Sequence, residues 1–148
     1  MPTLAEHFSQ TPKRKNVIAD LAHLVDEEVA AKSGLSGFAI KGAYAMVKAV
    51  KPGFITEVID GMFDDWIARL EPLYTECSAA GGNVAGEFQK RAPRVADALL
   101  SVTDDRAKKT THQTAKKAYE KLRPTAKRNV EEAVPRLSKL LAKHTAAA

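Results

Sequence analysis

Only one cysteine, Cys77, stands in the whole chain. A lone cysteine cannot close an internal disulfide, so this is not a disulfide-stapled secreted domain. As a nucleophile it would need a nearby base or positive charge to form its thiolate, and its neighbour Glu76 works the other way. Uninterrupted apolar runs are also missing: none approaches the roughly 18 residues of a membrane span. Met1 to Lys15 lacks the short apolar block of a secretory signal. The expected address is therefore the cytoplasm. No stretch alternates apolar and polar residues between turn signals, so no strand is expected.

What is present is helical period. The hydrophobic share of 45% in 148 residues is enough for one real core. Val17, Leu21, Leu24, Val25 and Val29 recur on one face and predict a first helix from about Pro12 to Lys32. Gly34 and Gly37 break the run, with Ser33 and Ser36 as candidate caps. Ala39, Ile40, Ala43, Tyr44, Val47 and Val50 carry a second helix, which Pro52–Gly53 stops.

The third helix is the most apolar. Phe54, Ile55, Val58, Ile59, Met62, Phe63, Trp66, Ile67 and Leu70 make a wide stripe, so this helix is expected at the centre, with Trp66 buried. Pro72 should weaken it, and its end is expected at Tyr74–Glu76. Residues 78–86 are rich in Gly, Ala and Ser and read as a flexible connector. Phe88 is expected on a short turn. Helices follow over Val95–Val102, over Ala115–Leu122 with an end near Arg123–Pro124, and over Val130–Leu141 with a kink or break at Pro135. The tail beyond His144 should fray.

The chain also repeats itself. With a shift of 75, Lys41 meets Lys116, Ala43–Tyr44 meets Ala118–Tyr119, Val47–Lys48 meets Leu122–Arg123, and Val58–Ile59 meets Ala133–Val134. With a shift of 77, Ala19–Asp20 meets Ala96–Asp97 and Glu27–Glu28 meets Asp104–Asp105. Pro52 and Pro124 do not align. The expected fold is all-α: a single domain, a bundle of about six helices from an internal duplication of a three-helix unit. Its halves are about 12–77 and 87–145, joined by 78–86.

The pieces Lys-Ser-Gly-Leu-Ser-Gly at 32–37, Ala-Tyr-Ala-Met-Val-Lys at 43–48 and Val-Lys-Pro-Gly-Phe at 50–54 are distinctive. With the stretch 96–107 and the Val-Glu-Glu-Ala-Val-Pro-Arg-Leu of 130–137, they resemble a group of uncharacterised small helical bacterial proteins, a domain of unknown function. The resemblance covers nearly the whole chain. It implies a bacterial intracellular helical protein and brings no activity and no site residues.

Several polar constellations have plainer roles. Asp20, His23 and Glu27 share a helix face, but no other helix offers a matching set for a metal, so a solvated polar face is expected. The acidic pairs Glu27–Glu28, Asp64–Asp65, Asp104–Asp105 and Glu131–Glu132 cannot converge as neighbours, because adjacent helical residues diverge by about 100°. Gly34-Leu35-Ser36-Gly37 lacks the Gly-Lys-Ser/Thr ending of a nucleotide loop and follows no strand. No catalytic residue, cofactor or metal is assigned, and an enzyme is not expected.

The C-terminal half is basic. Lys108, Lys109, Lys116, Lys117, Lys121, Arg123, Lys127 and Arg128 are the candidate polyanion-binding residues. Tyr119 is the one aromatic among them, so base stacking has no support. The leading expectation is a non-enzymatic helical interaction or scaffold protein that meets a protein partner or self-associates. One alternative is a sequence-independent nucleic-acid or polyanion binder acting through the basic half. The other is a carrier of a small apolar ligand. Convergence of the cations on one face, or an apolar cavity between helices, separates the three.

Overall fold

The computed structural model describes residues 3–8, 11–32, 34–81 and 83–145. Among them lie seven α-helices and no strand: α1 (Leu4–Phe8), α2 (Thr11–Ala31), α3 (Gly34–Val50), α4 (Phe54–Ala79), α5 (Val84–Lys90), α6 (Ala92–Lys109) and α7 (Gln113–Thr145). Ser33, the side chain of Ser36 and the tail at 146–148 fall outside the described residues.

Four long helices form a ring. α2 packs on α4, α4 on α6, α6 on α7, and α7 back on α2. The diagonal pairs, α2 with α6 and α4 with α7, have no backbone contact among the described residues. Cross-helix pairs fix an antiparallel run at each step. Arg14 meets Asp60 and Asp64 while Val25 and Val29 share a lining with Ile55 and Val58 nearer the start of α4, Arg94 meets Glu76 while Trp66 meets Leu99, Asp104 meets Arg123 while Asp97 meets Lys127, and Asp20 meets His144 while Lys32 meets Glu132.

One end of this ring is tightly filled. Phe63, Ile67, Leu70, Leu73 and Cys77 of α4 meet Val17 of α2, Val95 of α6, and Val134, Leu137 and Leu141 of α7. The short helices α1 and α5 plug that end with Leu4, Phe8 and Phe88. The Leu4 amide donates to Glu71 Oε1 at 2.6 Å, which ties α1 to α4. Neither short helix shows enough period to be read as a core element from the sequence, yet Leu4 and Phe88 are wholly buried.

The structure corrects several expected boundaries. α4 runs through Pro72 to Ala79, and the connector shrinks to the few residues between α4 and α5. The two expected C-terminal helices are one, because α7 continues through Pro124 and Pro135. Both prolines are exposed and lie on the same face, eleven residues apart. On that face water can take over the carbonyl that each proline leaves without an amide partner. Trp66 is only partly buried; it sits at the α4–α6 seam, where Nε1 donates to the Leu99 carbonyl at 3.2 Å. Ile59, Met62 and Phe63 are buried as expected.

The turn from α2 into α3 needs glycine. A β-carbon on Gly37 would lie 2.7 Å from the Lys32 carbonyl carbon, so only glycine lets α3 close onto the end of α2. Gly53, with φ of 81°, makes the left-handed turn from α3 into α4.

Truncating the α5 plug tests this packing. Phe88→Ala should destabilise by about 3–5 kcal/mol, while Phe38→Ala, at a side chain 82% exposed, should stay within about 0.5 kcal/mol. Urea midpoints followed by helical circular dichroism measure both. An unchanged midpoint for Phe88→Ala would mean that α5 does not close the ring.

Candidate functional site

The other end of the ring is built from smaller side chains. α6 and α7 arrive there with Ala107, Ala115 and Ala118, and α3 faces them with Ala43. These residues do not fill the space, and a cleft of about 410 Å³ remains between α2, α3, α4, α6 and α7. Val25 and Val29 of α2 line it, with Ile40 and Val47 of α3 and with Ile55, Val58 and Met62 of α4. α3 forms one wall: it packs on α2, α4 and α7 outside the ring.

Two tyrosines line the cleft from different helices, Tyr44 on α3 and Tyr119 on α7. Each donates its hydroxyl to an aspartate on the preceding long helix, Asp26 for Tyr44 and Asp104 for Tyr119. Each aspartate also holds a cation one turn beyond the tyrosine. Lys48 lies 3.5 Å from Asp26, and Arg123 grips Asp104 through Nε at 2.8 Å and Nη2 at 3.1 Å. Hydrogen bonding lowers both carboxyls below the ordinary range, from Tyr44 foremost at Asp26 and from Arg123 foremost at Asp104. Burial, and then the aspartate bond, raises the Tyr44 phenol and pushes Tyr119 up to about 12. Both tyrosines therefore stay neutral and close the cleft wall as apolar rings with satisfied hydroxyls.

Few charges share the lining. Lys51 pairs with Glu57 at 3.1 Å and stands over the Phe54 ring, whose edge meets His112 at 5.0 Å. Arg106 lies across α4 at Gly61, its guanidinium 3.4–3.6 Å from where a β-carbon would be. Lys116 completes the set. Cys77 is far from this end, fully buried in α4, and burial pushes its thiol up.

The eight candidate polyanion residues are not brought together. Arg123 and Lys127 are held by Asp104 and Asp97, and Lys116 lines the cleft. Lys108 and Lys109 are exposed at the end of α6. Lys117, Lys121 and Arg128 are exposed along one face of α7, which Lys139 extends. On α2, Asp20 turns to His144 at 2.7 Å rather than to His23, which contacts Glu27 at 3.4 Å in solvent. Sequence reading raised an apolar cavity between helices only as an alternative and named none of its lining. Its one legible trace is the run of alanines, Ala107, Ala115 and Ala118, where larger aliphatics would have closed the ring.

The chain belongs to a family of unknown function (DUF6918), which matches residues 4–145. No curated protein and no solved structure matches it. Among the described residues, no helix is long and apolar enough to cross a membrane.

The Asp104 set makes stability depend on pH at both ends. Asp104 is held below its ordinary 3.8, so its contribution is present above that value and is lost as pH falls below it. Tyr119 is raised above 10.0, so its contribution is present below about pH 10 and is lost as pH climbs toward 12. Asp104→Asn should cost about 1–2 kcal/mol at neutral pH, discounted for partial exposure, and should flatten the acid limb of a urea-midpoint profile. Tyr119→Phe should flatten the alkaline limb. Profiles parallel to wild type in both variants would show that the pair does not titrate with folding.

Proposed function

We propose that this protein binds a small apolar ligand in the cleft that α3 covers. The observation that carries this reading is a volume of about 410 Å³ whose accessible lining surface is mostly apolar, supplied by aliphatic and aromatic side chains from several helices. Ligand sites have this character: concave spaces of roughly 300–1,000 Å³, mostly apolar, often set between the helices of a bundle. Catalysis finds less support. The cleft tyrosines keep their protons, the acids beside them are held by cations, and Cys77 lies at the filled end. A carrier or sensor, which holds its ligand without transforming it, fits these groups best. The matching Tyr44–Asp26–Lys48 and Tyr119–Asp104–Arg123 sets also support an internal duplication. Its copies have diverged in path: α3 and α4 meet at a turn, whereas α7 runs straight on.

The test uses the neutral dye N-phenyl-1-naphthylamine, which brightens in apolar sites. Native protein should bind it at one site per chain. Ala118→Leu with Ala43→Leu fills the cleft with good helix formers and should weaken binding at least tenfold while helicity is retained. Equal binding by the filled variant would move the dye to another surface and overturn the reading.

A second reading, self-association through α3, draws on a different observation. Phe38, Met46 and Val50 are 82%, 57% and 65% exposed on the outer side of that helix. Small residues Gly42, Ala45 and Ala49 lie between them and allow close approach by a second copy. Sedimentation velocity at rising concentration should then reveal a dimer that Phe38→Ser with Met46→Ser abolishes. A monomer at every concentration would remove this reading.

A further inference from the structure

Resting on the cleft reading above, we infer that the ligand is an amphipathic anion: one flexible apolar chain ending in a carboxylate or a comparably small anionic head. The charges of the lining argue for the sign. Lys51, Arg106 and Lys116 stand against one carboxylate, Glu57. Glu57 is taken by Lys51 at 3.1 Å. Asp26 and Asp104, the nearest acids behind the walls, are taken by the tyrosines with Lys48 and Arg123. Arg106 and Lys116 are thus the lining cations with no acid partner among the described residues.

Their placement argues for a shared head site. Asp97 meets Lys127 and Asp104 meets Tyr119, so the antiparallel register of α6 and α7 sets Arg106 and Ala107 across from Lys116. Arg106 also lies against α4 at Gly61, its guanidinium within ordinary contact distance of where a β-carbon would stand. A planar guanidinium and an ammonium on one cleft lining suit a carboxylate or phosphate, since the first can donate two parallel hydrogen bonds and the second adds a point charge. Elsewhere in the lining Val25, Val29, Ile40 and Met62 offer aliphatic carbon and one thioether, which suits a chain and disfavours a second polar group.

The experiment displaces N-phenyl-1-naphthylamine from the full chain with four twelve-carbon probes: dodecanoate, dodecyl phosphate, dodecanol and dodecyltrimethylammonium, each kept monomeric. At least one anion should compete at tenfold or more lower concentration than the alcohol, and the ammonium should be weakest. Which anion is stronger tells a carboxylate head from a phosphate head. Shortening dodecanoate to decanoate should weaken it, by about fourfold per methylene removed from an apolar site. Arg106→Gln with Lys116→Gln should bring anion and alcohol together, each measured by its concentration for half-displacement of dye from that same variant. If alcohol and anions compete equally in wild type, or if none displaces a bound dye, the inference falls and the cleft reading stands. If the dye itself does not bind, the cleft reading falls and takes the inference with it.

Discussion

Side-chain volume is not constant along the helix ring, and the rest of the structure answers to that mismatch. Where Phe63, Leu70, Phe88 and Val134 meet, the four helices are filled to the density expected of a core. Where Ala107, Ala115 and Ala118 meet, short side chains leave part of the space between the same four helices unfilled. The helices cannot collapse inward there, because the filled end and the antiparallel ion pairs hold them in register. A sealed void of about 410 Å³ would cost on the order of 10 kcal/mol at about 24 cal/mol per Å³. That equals the whole net stability of an ordinary domain. The chain avoids this penalty in two ways: α3 covers part of the gap, and the charged rim of Lys51, Arg106 and Lys116 leaves the rest open to solvent.

The ion pairs that hold the register contribute specificity more than stability. Asp20–His144, Glu28–Arg136 and Lys32–Glu132 step along the α2–α7 seam at 2.7, 2.9 and 2.9 Å. Partly exposed pairs of this kind are each worth at most about 1 kcal/mol, far less than one buried aromatic. Their value lies in order. A slide of α7 by one turn would oppose Arg136 and Lys32 with the wrong partners and misalign Asp104 with Tyr119. The polar pairs therefore fix which turn faces which, while the apolar cluster supplies the free energy.

The all-α architecture and the central stripe of α4 were legible because both are local. Period alone places Ile59, Met62, Phe63 and Ile67 on one face, and no tertiary fact is needed. Proline was over-read for the opposite reason. Pro72, Pro124 and Pro135 break helices only where the lost hydrogen bond is buried, and all three stand on exposed faces. Trp66 was misplaced because a wide stripe does not say which residue lies at its edge. Phe88 was under-read because a seven-residue helix has too little period to declare its buried face. The cleft could be offered as an alternative but not located, because an alanine that packs well and an alanine that leaves a gap look the same in sequence. The tyrosine–aspartate sets lay partly in view, since the Ala-Tyr pair repeats at a shift of 75. What the repeat could not tell was that Asp26 and Asp104, on other helices, would take the hydroxyls.

α3 is where packing and binding become one question. It is apolar on both sides, with Ile40 and Val47 turned to the cleft and Phe38, Met46 and Val50 turned outward. Its side-chain ties to the ring converge on one carboxylate, Asp26, through Tyr44 and Lys48. A helix held so narrowly gains from anything that fills the space beneath it. On the ligand-binding reading, an apolar chain in the cleft adds contacts to Ile40 and Val47 that the ring does not supply. By linkage, that stabilises the folded protein by about 2.7 kcal/mol when ligand stands at a hundred times its dissociation constant. The coupling runs both ways. On the same reading, whatever the Tyr44–Asp26 tie contributes to the placement of α3 also contributes to ligand affinity. The repeated aspartate sets then have a division of labour: Asp104 fixes the wall that stays within the ring, and Asp26 fixes the wall that stands outside it.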